Sequence, residues 1–296
     1  MYYFFIPILF AFINSPSSQA TDMEFYFSKR SQQIKSDTII DVYYGLDKDL
    51  AAYSLGRIDK KTLLMSFHNY TKYIKKNSNL KVNLKKDLIV EAFDKVFNPN
   101  TQINPNLRAI NRILEACGNA GDAAFANHIL NTMEGVWNVK PDSYSVYFTL
   151  DACRNPGDIA YAWTILNDME VRWGIKPNIY CVTNTIKACN GTGEAEYAVY
   201  LLENMEELWG IAPDIYCFNH TIEAFAKVGD YVNAHLILIE MQRLAIHPNI
   251  YSLNFAITAH INGNDYQGAL ELYKDLKNYW NIEPNFHTHQ LLRLLP

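Results

Sequence analysis

The sequence contains no Cys-x-x-Cys pair, no Gly-x-x-x-x-Gly-Lys loop and no His-x-Glu dyad. Those absences exclude a zinc ribbon, a nucleotide-cradling P-loop and a deaminase-type zinc centre. His287 and His289 are two residues apart, so on a helix they point in different directions and make a poor metal pair. With no catalytic constellation in view, neither an enzymatic activity nor a cofactor is expected. Glycine and proline are sparse, 13 and 11 in 296 residues, which excludes a collagen-like or low-complexity chain. The five cysteines are an odd number; Cys117, Cys153 and Cys189 recur at one spacing, and Cys181 and Cys217 share it. They read as small buried side chains rather than as a disulfide framework. Charge is modest too, 19 % of residues against 49 % hydrophobic, the balance of a folded chain.

The N-terminus carries an apolar stretch over residues 2–13, followed by the small-x-small triplet Ser18-Gln19-Ala20. Residues 1–20 therefore read as a cleaved targeting segment, the alternative being a start codon placed too early. The stretch is too short to span a bilayer as an ordinary helix, so no membrane association is expected of the mature form. Residues 21–104 form a basic helical region: residues 1–106 hold 14 Lys and Arg against 10 Asp and Glu. Amphipathic spacing predicts helices near 39–54, 60–76 and 84–97, as degenerate repeats or an N-terminal cap. Lys75-Lys76 and Lys85-Lys86 read as solvated helix faces.

What the chain has in abundance is period. Prolines at 105, 141, 177, 213, 248 and 284 are spaced by 36, 36, 36, 35 and 36 residues, and each precedes Asn or Asp. Three residues after the proline stand Arg108, Tyr144, Tyr180, Tyr216, Tyr251 and His287. Sixteen after it stand Gly121, Gly157, Gly193, Gly229 and Asn264, and twenty-one after it always alanine, from Ala126 to Ala269. Trp137, Trp173, Trp209 and Trp280 close the units, with Ala245 at that place in the fourth. A fixed period of this length marks stacked supersecondary units. Asn or Asp after the proline caps a first helix, glycine ends it, and the following acidic residue caps a second. The predicted fold is all-α: a right-handed superhelical solenoid of helix-turn-helix repeats of 35–36 residues over 105–296, five full units and a partial sixth. The alanines mark close helix pairing, and the tryptophans are expected to cement adjacent units.

The run from proline through Tyr, Asn, Ala, Gly-Asp, Ala, Leu and Met-Glu back to Gly-Ile-Lys-Pro resembles the pentatricopeptide repeat family. The units at 215–249 and 250–285 resemble it most, through Cys217-Phe218-Asn219 and Ser252-Leu253-Asn254. The resemblance implies single-stranded RNA as partner, one base per repeat, with the first helices lining an inner groove. It implies base-selecting pairs at the sixth residue after one proline and the residue just after the next. These are Asn111 with Asp142, Tyr147 with Asn178, Thr183 with Asp214, Asn219 with Asn249, and Asn254 with Asn285. By the family's preferences they select U, an unread base, G and two pyrimidines, from 5′ to 3′. Tyr147 departs from the family's small polar residue. The phosphate-contacting lysine survives only as Lys227, the same place elsewhere being Asn119, Asn155, Gly191 and Asn262. Tyr144, Tyr180, Tyr216 and Tyr251 have two readings. They stack on bases, or they pack the start of the first helix within the stack, and the second carries slightly more weight.

Charge works against a non-specific binder: residues 107–296 contain 12 basic and 21 acidic residues. The first helices hold five basic to three acidic residues and the second helices four to fifteen, so the acidity is expected on the outward side. The leading expectation is a non-catalytic RNA-binding adaptor in organellar RNA processing, stability or translation, in mitochondrion or plastid, with weak affinity by itself. The rival is a helical scaffold for a protein partner or self-association. The apolar stripe Leu291-Leu292-Arg293-Leu294-Leu295 caps the stack, binds a partner or reflects a truncated gene model.

Overall fold

The computed structural model describes residues 40–77, 80–97, 101–153, 158–192 and 194–295. The targeting segment 1–20, and Gly157 and Gly193, lie outside the described residues. Among those described, regular structure is helical throughout. In chain order the helices are α1 (Ile40–Ser54), α2 (Lys60–Lys76), α3 (Val82–Phe97), α4 (Leu107–Ala120), α5 (Ala123–Trp137), α6 (Ser143–Ala152) and α7 (Ile159–Trp173). They continue as α8 (Ile179–Thr192), α9 (Ala195–Trp209), α10 (Ile215–Val228), α11 (Tyr231–Arg243), α12 (Ile250–Asn262), α13 (Tyr266–Asn278) and α14 (Phe286–Leu292). The three helices expected before the repeats thus form within two residues of the expected bounds. None of the described helices is long and apolar enough to cross a membrane.

The chain forms two compact units. Among the described residues, the first spans 40–120 and 124–145 and is built on a cluster of large rings. Phe67 meets Phe97 edge-on at 5.3 Å between centroids, and Phe93 lies 4.6 Å from Phe97. Trp137 sets its edge against Phe93 at 5.5 Å, the cementing role expected of it.

The second unit, residues 121–123 and 146–296, is a succession of hairpins. Each second helix turns one apolar stripe inward, as Ala162, Ile165, Leu166 and Met169 do on α7 and Ala234, Ile237, Leu238 and Met241 on α11. The periodic alanines, Ala126 in the first unit and Ala162, Ala198, Ala234 and Ala269 in the second, are all at 0 % exposure, so any larger side chain there would displace a neighbouring helix. The caps form as expected. Asp214 accepts from the Tyr216 and Cys217 N–H groups, while Asn249 with Ser252 and Asn285 with Thr288 make reciprocal capping boxes.

Glycine matters most at Gly229. It ends α10 at φ 72°, and a Cβ there would lie 2.8 Å from the Asn262 carbonyl carbon, inside the backbone of the next repeat. One alignment is corrected. Ala245 does not stand at a tryptophan position. With φ 57° it is the left-handed residue after the second helix, equivalent to Asn138, Gly174, Gly210 and Asn281. The one-residue-shorter fourth unit closes α11 early, at Arg243 with Leu244 as cap.

The five cysteines are buried, and none forms a disulfide. Burial first, then the Asp158 and Asp151 carboxylates, pushes Cys153 up to about 12, and burial raises Cys189 to about 12. At neutral pH both remain thiols, consistent with a packing role.

Candidate nucleic-acid interface

Each repeat opens with its capping residue, and the sixth residue after the proline stands just over one turn into the first helix. Stacking brings the next repeat's capping residue beside it. In three of the five predicted pairs the two side chains are hydrogen-bonded. Asn111 Nδ2 donates to Asp142 Oδ1 at 3.1 Å, and longer bonds of 3.4 Å run from Asn219 Nδ2 to Asn249 Oδ1 and from Asn254 Nδ2 to Asn285 Oδ1.

A third residue, unseen from the sequence, completes each of these cells. The hydroxyl four residues after the second proline donates to the asparagine oxygen: Ser145 to Asn111 at 2.7 Å, Ser252 to Asn219 at 2.5 Å, Thr288 to Asn254 at 2.8 Å. The hydroxyl accounts for the amide oxygen and the capping residue for one amide hydrogen, so the amide has one orientation. The two cells lacking asparagine have cysteine at the hydroxyl's place. Thr183 donates its proton to the Ile179 carbonyl at 2.7 Å, and its oxygen then accepts from the Cys217 thiol at 3.3 Å. Tyr147 sets its ring edge-on to Phe148 at 5.5 Å, while Asn178 caps α8 through the Cys181 N–H. No hydrogen bond joins Tyr147 to Asn178 or Thr183 to Asp214.

Burial distinguishes the members of three pairs, while Asn111 with Asp142 and Thr183 with Asp214 are all half-buried. Asn219 and Asn254 are only 5 % and 2 % exposed, whereas Asn249 and Asn285 are half-buried and Asn178 is exposed. The capping residue is therefore the accessible edge of a cell. Its Oδ1 is occupied by the helix N–H groups, so Asn249 and Asn285 have the amide NH2 left to offer, and Asp142 and Asp214 the second carboxylate oxygen.

The tyrosines are not packed within the stack, and that expectation is corrected. Tyr144, Tyr180, Tyr216 and Tyr251 are 62–67 % exposed. At the first turn of a helix the side chain projects past the end of the stack's apolar stripe, so no neighbouring helix covers it. Lys227 is exposed in the last turn of α10. Its counterpart Asn262 instead serves the stack, donating to the Ala226 carbonyl at 2.7 Å.

A family model described as the pentatricopeptide repeat domain matches residues 164–209 and 207–262. No curated protein matches the chain. Among solved structures, the pentatricopeptide repeat protein PPR10 from maize is similar, with a TM-score of 0.60 and 19 % identity over 94 % of this chain. The same protein in complex with an 18-nt psaJ RNA element gives a TM-score of 0.68 at 15 % identity over 92 % of this chain. The chain spans 36 % and 38 % of those two molecules. Residues 164–262 thus match the pentatricopeptide repeat model in the same register as the periodic prolines, and the solved structures share the all-α repeat solenoid fold of this chain.

Proposed function

We propose that the chain is a non-catalytic adaptor that binds single-stranded RNA, with one base meeting each capping residue. It acts in organellar RNA processing, stability or translation, in mitochondrion or plastid. The observation that carries the reading is the recurrence of one polar cell, amide, capping residue and hydroxyl, with the outer edge of the capping residue unpaired. Chemistry connects that edge to base choice. A carboxylate oxygen accepts, and the Watson–Crick edges of uracil and guanine each present a ring N–H. An amide NH2 donates, and cytosine presents an unprotonated ring nitrogen and a carbonyl. The Asp142 and Asp214 cells thus suit U and G, and the Asn249 and Asn285 cells pyrimidines. The exposed tyrosines supply faces on which bases stack.

The test is binding to a U-N-G-Y-Y pentamer in neutral flanks and to a copy with the G replaced. Selective binding that disappears with Thr183→Asn supports base readout by these cells. A folded protein that binds no RNA at low salt overturns the reading. The fifteen acidic residues of the second helices then favour a scaffold for a protein partner.

A further inference from the structure

The region before the first periodic proline contains one more cell, and it is lined by cations. Asp59 caps α2 by accepting from the Thr62 N–H at 2.8 Å and its hydroxyl at 2.6 Å, as Asp214 and Asn249 cap α10 and α12. Counting from that cap, Leu64 and Asn106 take the places of the base-selecting pair, and Lys61 and Arg108 those of the exposed tyrosines. Leu64 has no hydrogen-bonding group, so this cell has no means of reading a base edge through that position. What it has is a pocket of about 560 Å³ lined by Lys60, Lys61, Leu64, His68, Arg108 and Arg112. The lining also holds the Asp59 carboxylate, whose Oδ1 serves the helix cap.

Arg108 is held in place. Its Nη2 donates to His68 Nε2 at 2.8 Å, which makes that nitrogen the acceptor and puts the ring proton on Nδ1. Burial first, then Arg108, Arg112 and Lys72, keeps the His68 pKa below its ordinary value, so the ring stays neutral and leaves Arg108 cationic. Arg112 is tied to Glu115 at 2.8 Å, whereas Lys60, Lys61 and Arg108 form no ion pair among the described residues. Arg108 and Asn111 are three residues apart on α4 and share a face.

We propose that this pocket holds a backbone phosphate of the same RNA strand, one step from the base that meets the Asn111–Asp142 cell. The proposal rests on the RNA-binding reading above. A guanidinium fork fixed by a neutral histidine, with two lysines at the rim, suits a phosphate and is indifferent to base identity. The site is a second kind of cell: it anchors the strand, and the polar cells select.

The experiment compares the full chain with the Lys61→Gln/Arg108→Gln double variant and with Lys61→Arg/Arg108→Lys, which keeps the charge. Both altered positions are exposed, and circular dichroism checks that folding is retained. Salt titration of RNA binding is expected to show the slope of log K against log salt reduced by about 0.7 in the neutral variant, the loss of one single-strand phosphate contact. Affinity falls by a similar factor for the matched RNA and the G-replaced copy, and the charge-keeping variant restores it. A second arm needs no RNA: millimolar inorganic pyrophosphate raises the unfolding temperature of the wild-type chain and has no effect on the neutral variant. A shift that persists in the neutral variant overturns the site. A shift that is lost while the RNA slope is unchanged overturns the strand assignment in favour of a small phosphate compound. A wild-type chain that responds to pyrophosphate and binds no RNA separates failure of the RNA reading from failure of the pocket, and overturns the strand assignment too.

Discussion

The cell between α2 and α4 and the cell between α10 and α12 share a scaffold and differ in everything they offer a ligand. Both open on a helix capped by an acidic or amide side chain, Asp59 in one and Asp214 and Asn249 in the other. Both rest on buried apolar stripes, such as Leu63, Phe67, Tyr70 and Ile74 on α2 and Phe218, Ile222 and Phe225 on α10. Yet the first presents Lys61, Leu64 and Arg108 where the second presents Tyr216, Asn219 and Tyr251. The comparison teaches that stacking depends on the caps and the apolar stripe. The lining positions at the first turn, Lys61, Arg108, Tyr216 and Tyr251, are exposed and take no part in the stacking. Surface positions of this kind change stability little, so cells can differ in their lining at small energetic cost.

The largest effect that would break the comparison lies in the scaffold. Gly229→Ala places a side chain on left-handed backbone and drives its Cβ into the Asn262–Gly263 backbone. We expect a loss of about 2–4 kcal/mol in denaturant unfolding. Gly174→Ala, with nothing near its Cβ at φ 68°, should cost only about 1 kcal/mol. Equal losses at the two sites would refute the close-approach account.

Next in size are the linings themselves. Tyr216→Ala and Tyr251→Ala should each weaken RNA binding by about 1–3 kcal/mol with the salt slope intact, the reverse of what is expected at Lys61 and Arg108. A tyrosine variant that lost thermal stability instead would return these rings to a packing role. Ser252→Ala removes the hydroxyl that donates to the buried Asn219 oxygen and should cost about 1–2 kcal/mol of stability. Asn219 oriented without that hydroxyl would leave the variant as stable as the parent chain.

Ala245→Gly acts in the opposite direction. It relieves an alanine at φ 57° and should stabilise the chain by about 0.5–1 kcal/mol, read as a small rise in unfolding midpoint. The smallest effect concerns acid. The Gly268 N–H, then the His260 hydrogen bond, lowers the Asp265 pKa below its ordinary 3.8. A carboxylate with a depressed folded pKa contributes stability that is full above the unfolded value and is lost as pH falls through the folded one. The acid limb of the stability curve, below about pH 4, should therefore flatten in Asp265→Asn.

Much of this was legible in the residues alone, and the limits have a common cause. The six prolines, the capping Asn and Asp, the invariant alanines and the apolar spacing determined the hairpins and their order, because caps and helical periodicity act within a few residues of the chain. The same register named the five pairs, and three of them meet. The register did not show that Ser145, Ser252 and Thr288 orient the asparagines, because those contacts span 33 or 34 residues and arise only when one hairpin docks on the next. Nor did it show the cation-lined cell, since Ile58 stands where a proline would have marked the unit. The exposure of the tyrosines and the left-handed turn at Ala245 were likewise decided by packing. Local chemistry set which helices form and where they start. Only the tertiary structure decided which polar atoms were used up within the stack and which were left facing out, because that depends on neighbours a whole repeat away.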